Sequence, residues 1–274
     1  MENTGERHIL NGHFDNKSEL YLHLMHIATY EYAENFVENK TVLDFGCGSG
    51  YGTEMLSKNA ANIIGVDISK EAVDYARNNH QSVNLVFKTV SELTDEKFDV
   101  ITSFQVIEHV PNDVEYIKTL KRFLNPGGHL LISTPDKKHR LFNHIQKPWN
   151  IFHLKEYSPK SLESLLKKHF SKVEIFKIGS DSDLVLEEIA RTKKQKIITL
   201  PTTLFFYPNI LRNFLLKLQK QLFELKQKYK PSTNNTTTKN SKTENFASRY
   251  STDDILFKKE MEHSTDLFAV CVND

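Results

Sequence analysis

Glycines alternate with other residues through Asp44-Phe45-Gly46-Cys47-Gly48-Ser49-Gly50, directly after the apolar run Val42-Leu43 and ahead of a helical stretch. A strand that turns through glycines into a helix leaves main-chain N–H groups uncovered, with no Cβ to hold a ligand away. Such a turn binds an anion, because the first N–H groups of a helix lack partners and the macrodipole favours negative charge there. Asp67 ends the next apolar run, where a carboxylate can accept both hydrogen bonds of a ribose diol. A second set of reactive side chains follows the fourth and fifth apolar runs: Glu108 and His109 within 103–111, and His153 within 152–157. A neutral imidazole titrates near working pH, so His153 is a candidate general base.

These groups need a scaffold. Short apolar runs at 41–45, 62–67, 84–88, 98–103, 129–133 and 172–178 alternate with amphipathic stretches such as 70–79 and 113–124. That alternation predicts an α/β fold with a mostly parallel sheet and helices on both faces. Asn125-Pro126-Gly127-Gly128 supplies a helix stop and a tight turn, and a last run at 266–272 predicts a seventh strand closing the sheet. The expected organisation is a single domain over 1–274. It comprises a helical cap over 1–40 with a helix at 17–38, a core over 41–180, a helical insertion over 181–265 and the final strand at 266–274.

Within the insertion, Leu211, Leu215, Leu218, Leu222, Leu225 and Tyr229 recur in steps of four and three, predicting a helix over 209–230. The expected outcome is a packed apolar stripe with Arg212, Lys217, Lys220 and Lys228 outside it. Residues 231–252 are rich in Ser, Thr, Asn and Lys and predict a mobile loop. Residues 191–230 hold ten Lys or Arg against Glu224 alone, although the whole chain is only +1. A basic amphipathic helix covers an acidic substrate, pairs with a partner helix or lies on an anionic membrane. Because the catalytic half is acidic, nucleic acid is not the expected partner. Two cysteines, a polar N-terminus and no long apolar run predict a cytoplasmic protein, with peripheral contact at the inner membrane surface through 209–230 as one option.

The glycine loop with its leading Asp44 resembles the signature of class I S-adenosylmethionine-dependent methyltransferases. The resemblance extends through Ile64–Ser69, 98–101 and 124–132, in family order. A dehydrogenase fingerprint needs its third glycine one place later, where this chain has Tyr51. The resemblance implies a Rossmann-like seven-stranded sheet. It also implies an S-adenosylmethionine site formed by Asp44, Gly46, Cys47, Gly48, Gly50, Asp67, Ile68, Thr89, Val90 and Phe104. One departure is Lys88-Thr89-Val90, where the family usually places an acidic residue for the adenine amino group.

The segments 103–111 and 152–157 resemble a subset of class I O-methyltransferases, including the ubiquinone-biosynthesis and small-RNA 2′-O-methyl types. There a Glu-x-x-Glu-His segment and a later His bind a divalent ion. Carried over by position, the ligands of Mg²⁺ or Mn²⁺ here are Gln105, Glu108, His109 and His153, with Gln105 replacing the first carboxylate. If 105–109 is helical, residues 105, 108 and 109 share one face. The catalytic candidates are His153, His109 and Glu108, through the metal or by direct base catalysis. Residues Thr4–Arg7 and 22–30 resemble bacterial methyltransferases of surface-glycan synthesis, which implies that Arg7, His26 and Tyr30 border the acceptor pocket. The expected activity is O-methylation of a sugar hydroxyl in a nucleotide sugar or surface glycan. Methylation of a quinone precursor or an amino-sugar nitrogen is the alternative, and a cofactor-binding regulatory protein is the non-enzyme alternative.

Overall fold

The structure is a computed structural model and describes residues 14–228 and 246–274. Arg7 with its surrounding motif, Tyr229, and residues 231–245 of the expected loop lie outside the described residues.

The strands are β1 (Thr41–Phe45), β2 (Asn62–Asp67), β3 (Leu85–Thr89), β4 (Phe98–Phe104), β5 (Leu124–Pro135), β6 (Lys172–Gly179), β7 (Leu256–Lys258) and β8 (Ser264–Val272). They form one sheet in the order β3-β2-β1-β4-β5-β8-β6-β7. Neighbours from β3 to β5 are parallel, and β8 runs antiparallel to both β5 and β6. The sheet therefore reverses its strand order beside β1, and in open α/β sheets ligands bind at such a switch point, beyond the carboxyl ends of the strands. One strand exceeds expectation. Leu256–Lys258 extends the edge as an eighth strand, too short for its period to show in sequence. Asn125–Gly128 loops out within β5, as the register jump from Phe98↔Leu124 to Val100↔His129 shows.

Alternate residues on the central strands face opposite layers. Val42, Val100, Leu131 and Phe268 pack under α1 (Lys17–Val37), α2 (Tyr51–Ser57) and α6 (Asp183–Thr199). Leu43, Ile101, Leu130 and Ala269 pack under α4 (Asp113–Phe123) and α5 (Pro159–Leu166). Helix α3 (Lys70–Asn79) buries Val73 and Ala76 against Phe87 and Cys47 near the glycine loop. Side-chain caps start several of these helices: Asn16 accepts from the Glu19 N–H, Ser69 from Ala72 and Asn112 from Glu115.

The insertion differs from expectation in two ways. Helix α7 (Asn209–Lys228) forms, but it buries Arg212 and Leu216 and leaves Leu211, Leu218, Leu222 and Leu225 exposed. Arg212 is only 1% exposed because its guanidinium donates to the carbonyls of Ile151 and His153. In addition, the last part of the expected mobile loop is folded. Phe246–Arg249 forms a 3-10 turn, and the Tyr250 hydroxyl donates to Asp183 at 2.7 Å.

Candidate active site

The glycine loop sits at the carboxyl end of β1. Gly46, Gly48 and Gly50 hold positive φ angles of 90°, 55° and 89°. A Cβ on Gly46 would lie 2.4 Å from Val106 Cγ2, so the loop after β4 presses directly on this turn. Gly48 has nothing within 4 Å of its missing Cβ and presents bare backbone. Its N–H donates to Asp67 Oδ2 at 3.0 Å, and Ser69 N–H donates to the other oxygen at 2.8 Å. Asp67 thus ties the first loop to the second while standing at the strand edge. The next residue, Ile68, is 90% exposed, an apolar side chain beside a diol acceptor. Such a surface suits the flat face of a base next to its ribose, and these residues fit a nucleoside cofactor.

Beneath the loop lies Asp44, 1% exposed. It accepts from Thr53 and Thr102 hydroxyls at 2.7 Å each and from the Tyr30 hydroxyl at 3.2 Å. Burial holds its carboxyl above the usual range, with the three O–H donors opposing that rise. Asp44 therefore anchors the loop from below. Tyr30 is consumed in the same network, 5% exposed and edge-on to Phe104, so it supports the loop rather than bordering an open acceptor pocket. Phe104 belongs to the buried core with Tyr30 and Phe268. His23 lies against Phe14 on α1. At the end of β3, Thr89 opens a short capping turn, its hydroxyl and N–H both donating to Glu92, and Val90 packs against the neighbouring core.

The second group converges on one place. One ligand atom from each of Glu108, His109 and His153 lies within 4.8 Å of the others. Glu108 and His109 sit on a single 3-10 turn, Ile107–His109, and the His153 segment is bound to it through Leu154 N–H donating to the Glu108 carbonyl at 2.8 Å. The His109 and His153 rings meet edge-to-face at 4.8 Å. Glu108 is fully buried; Oε2 accepts from the Thr134 hydroxyl at 2.9 Å, and Oε1 has no hydrogen-bond partner among the described residues. Burial pushes its carboxyl up to about 7, against the pull of His153. An orphaned buried carboxylate oxygen beside two imidazoles fits a divalent cation.

Gln105 is held by other contacts. Its backbone is left-handed, φ 56°, with its N–H on the Ser133 carbonyl, so no continuous helix runs from 105 to 109. Its side-chain amide instead donates to Asp266 at 3.1 Å and to Ser133 at 3.4 Å. The expected shared face of 105, 108 and 109 is thereby corrected.

Sequence reasoning assigned no role to Glu156. Its carboxylate accepts from His153 Nδ1 at 2.9 Å and from Arg140 at 3.0 Å. Burial would raise its carboxyl, but Arg140 and His153 hold it below the usual range. Ionised Glu156 fixes His153 with its proton on Nδ1, leaving Nε2 as an acceptor. The three-residue spacing of His153 and Glu156 was the available signal. Arg140 lies 4.5 Å over the Trp149 ring, which keeps the guanidinium in place.

Residues 22–169 match a family model described as "Methyltransferase domain". A "Probable S-adenosylmethionine-dependent methyltransferase" of Mycolicibacterium smegmatis is 31% identical over 173 residues, covering 62% of this chain and 65% of the relative. A ubiquinone biosynthesis O-methyltransferase of Coxiella burnetii is 33% identical over 129 residues, covering 44% of this chain and 55% of the relative. The chain thus spans less than two thirds of the length of these curated relatives. Among solved structures, a SAM-dependent methyltransferase of Thermotoga maritima aligns over 94% of this chain and 96% of its own, with a TM-score of 0.53 at 13% identity. That likeness concerns the fold.

Proposed function

This chain belongs to the class I S-adenosylmethionine-dependent methyltransferase family, and we propose that it transfers the cofactor's methyl group to a hydroxyl, that of a sugar in a nucleotide sugar or a surface glycan. The observation that supports oxygen as the acceptor is the Glu108–His109–His153 cluster at the carboxyl end of the sheet, with Glu108 and His153 buried, His109 half-buried and an orphaned carboxylate oxygen. The sulfonium cofactor supplies an activated methyl group and its own leaving group. What remains for the protein is to align the acceptor, exclude water and help remove a proton.

The chain's residues divide that work. Asp67, Ile68 and the bare backbone at Gly48 form the nucleoside side of the site. Val106, pressed on Gly46, continues into the turn that carries Glu108 and His109, so the two halves of the site share one rigid connection. Glu108, His109 and His153 would hold Mg²⁺ or Mn²⁺, which would lower the pKa of a coordinated hydroxyl. Arg140 and Glu156 fix the His153 ring from behind. Without a metal, His153 Nε2 would take the acceptor proton. The relative of Coxiella burnetii named for ubiquinone biosynthesis favours a second reading, a phenolic quinone precursor as the acceptor.

The test is methyl transfer from labelled cofactor into nucleotide-sugar, glycan and quinone-precursor pools, with and without chelator, alongside Mn²⁺ binding followed by calorimetry. Chelation should abolish transfer, Mg²⁺ or Mn²⁺ should restore it, and the label should enter a sugar. Full activity in excess chelator with no Mn²⁺ binding would remove the metal and leave His153 as the base.

A further inference from the structure

Helix α7 turns its apolar side outward. Leu211, Phe214, Leu218, Leu222 and Leu225 recur every three or four residues on one stripe, and all are exposed, Phe214 by 61%. Ile197 near the end of α6, Phe205 and Phe206 in the connection and Ile210 in the first turn of α7 are exposed as well, by 64%, 59%, 62% and 87%. Single exposed apolar side chains are ordinary, but a contiguous patch of aromatic and aliphatic groups marks a surface that meets something.

Charge identifies what it meets. Lys193, Lys194, Lys217 and Lys220 are exposed on the same two helices, and residues 191–230 contain one acidic residue, Glu224; the earlier part of α6 carries Asp183, Glu187 and Glu188. A second copy of the chain would bring the same positive charge against itself. The residues that follow, 229–245, are mostly Ser, Thr, Asn and Lys, with Tyr229 and Pro231 their main apolar groups. Apolar groups rimmed by lysines complement an anionic bilayer, whose phosphates take the lysines and whose acyl boundary takes the rings. No helix among the described residues is long and apolar enough to cross a membrane, so the geometry is one of lying on the surface.

We propose that the segment from the end of α6 through α7 docks this protein on an anionic lipid surface, with Phe205, Phe206, Ile210 and Phe214 entering the headgroup region. Hydrogen bonds join this segment to the loop that carries His153. Gln146 donates to the Lys196 carbonyl and to the Thr199 and Thr203 hydroxyls, and Phe205 N–H donates to the Ile145 carbonyl. Arg212 donates to the Ile151 and His153 carbonyls, so the lipid-facing helix and the His153 loop are held together.

The full chain is sedimented with vesicles of phosphatidylcholine alone and of phosphatidylcholine mixed with phosphatidylglycerol. It should sediment with the mixed vesicles only, and less as salt screens the attraction. Combined Phe205→Ser, Phe206→Ser and Phe214→Ser substitutions should weaken that binding about ten-fold or more, with S-adenosylhomocysteine affinity unchanged. Should that variant fail to fold, Lys217→Glu with Lys220→Glu reads the charge contribution alone and should also weaken sedimentation. No binding to mixed vesicles, equal binding to both kinds, or a dimer in solution that the serine substitutions disperse would each overturn the proposal. Sedimentation needs no turnover, so failure of methyl transfer and failure of docking are read separately.

Discussion

His153 Nδ1 donates to the buried Oε1 of Glu156 at 2.9 Å, and the same oxygen accepts from Arg140 at 3.0 Å. This contact occupies Nδ1 of His153 and fixes the plane of its ring. Glu156→Gln keeps the size of the side chain but removes the charge that orients the ring. Loss of such a supporting partner typically costs about 10–100-fold in metal affinity. Calorimetric Mn²⁺ titration of the variant should show a fall in that range, and an unchanged affinity would separate Glu156 from the metal reading.

Asp67 makes two contacts from one carboxylate, to Gly48 N–H and to Ser69 N–H, and is the group proposed to accept from a ribose diol. Asp67→Ala removes the diol acceptor and the tether of the glycine loop together. A hydrogen bond to a charged group contributes roughly 1.5–3 kcal/mol, about ten- to a hundred-fold in affinity. S-adenosylhomocysteine binding by calorimetry should weaken by at least that factor, while the fold, which Asp44 supports, should persist.

Asp44 should behave differently. Its substitution by Ala strands the hydroxyls of Thr53, Thr102 and Tyr30, all buried, in an apolar surround. Each unsatisfied buried group costs roughly 1–3 kcal/mol. Thermal unfolding should show a large loss of stability before any effect on binding can be read. A variant as stable as the native chain would mean that these hydroxyls find other acceptors.

The contrast between Asp44 and Asp67 marks what the sequence could disclose. The glycine loop, the strand that feeds it and both acidic residues were legible, because parallel strands read as short apolar runs and the turn chemistry is local. Their division of labour was not, because it depends on Tyr30 and Thr102 arriving from distant segments. The same holds for α7. Its period correctly grouped Leu211, Leu218, Leu222 and Leu225 on one side, but a period does not say which side docks, and the burial of Arg212 is set by carbonyls of the 151–153 loop. Helix α6 was harder still, since its inward face mixes Leu184, Val185 and Ile189 with Glu188 and Thr192. The helical face expected for 105, 108 and 109 failed for a local reason, the left-handed backbone of Gln105, which spacing does not show.

Glu108 gives a pH dependence that can be measured without any acceptor. Burial raises its carboxyl from 4.5 to about 7, so in chelator the folded protein favours the protonated side chain. The folded pKa lies above the unfolded one, and the folded state therefore binds more protons between those values. The stability this contributes is fully present below about pH 4.5 and is lost as pH rises through about 7. The shift corresponds to something on the order of 3 kcal/mol. The midpoint of thermal unfolding in chelator, compared at pH 5.5 and pH 8, should fall by several degrees on this account, and Glu108→Gln should flatten that fall. Mn²⁺ added at pH 8 should recover stability in the native chain, where the ionised carboxylate gains a ligand, but not in Glu108→Gln, which lacks the charge. Equal pH dependence in the two proteins would place the titration elsewhere, and recovery by Mn²⁺ in both would mean that the ion binds away from Glu108.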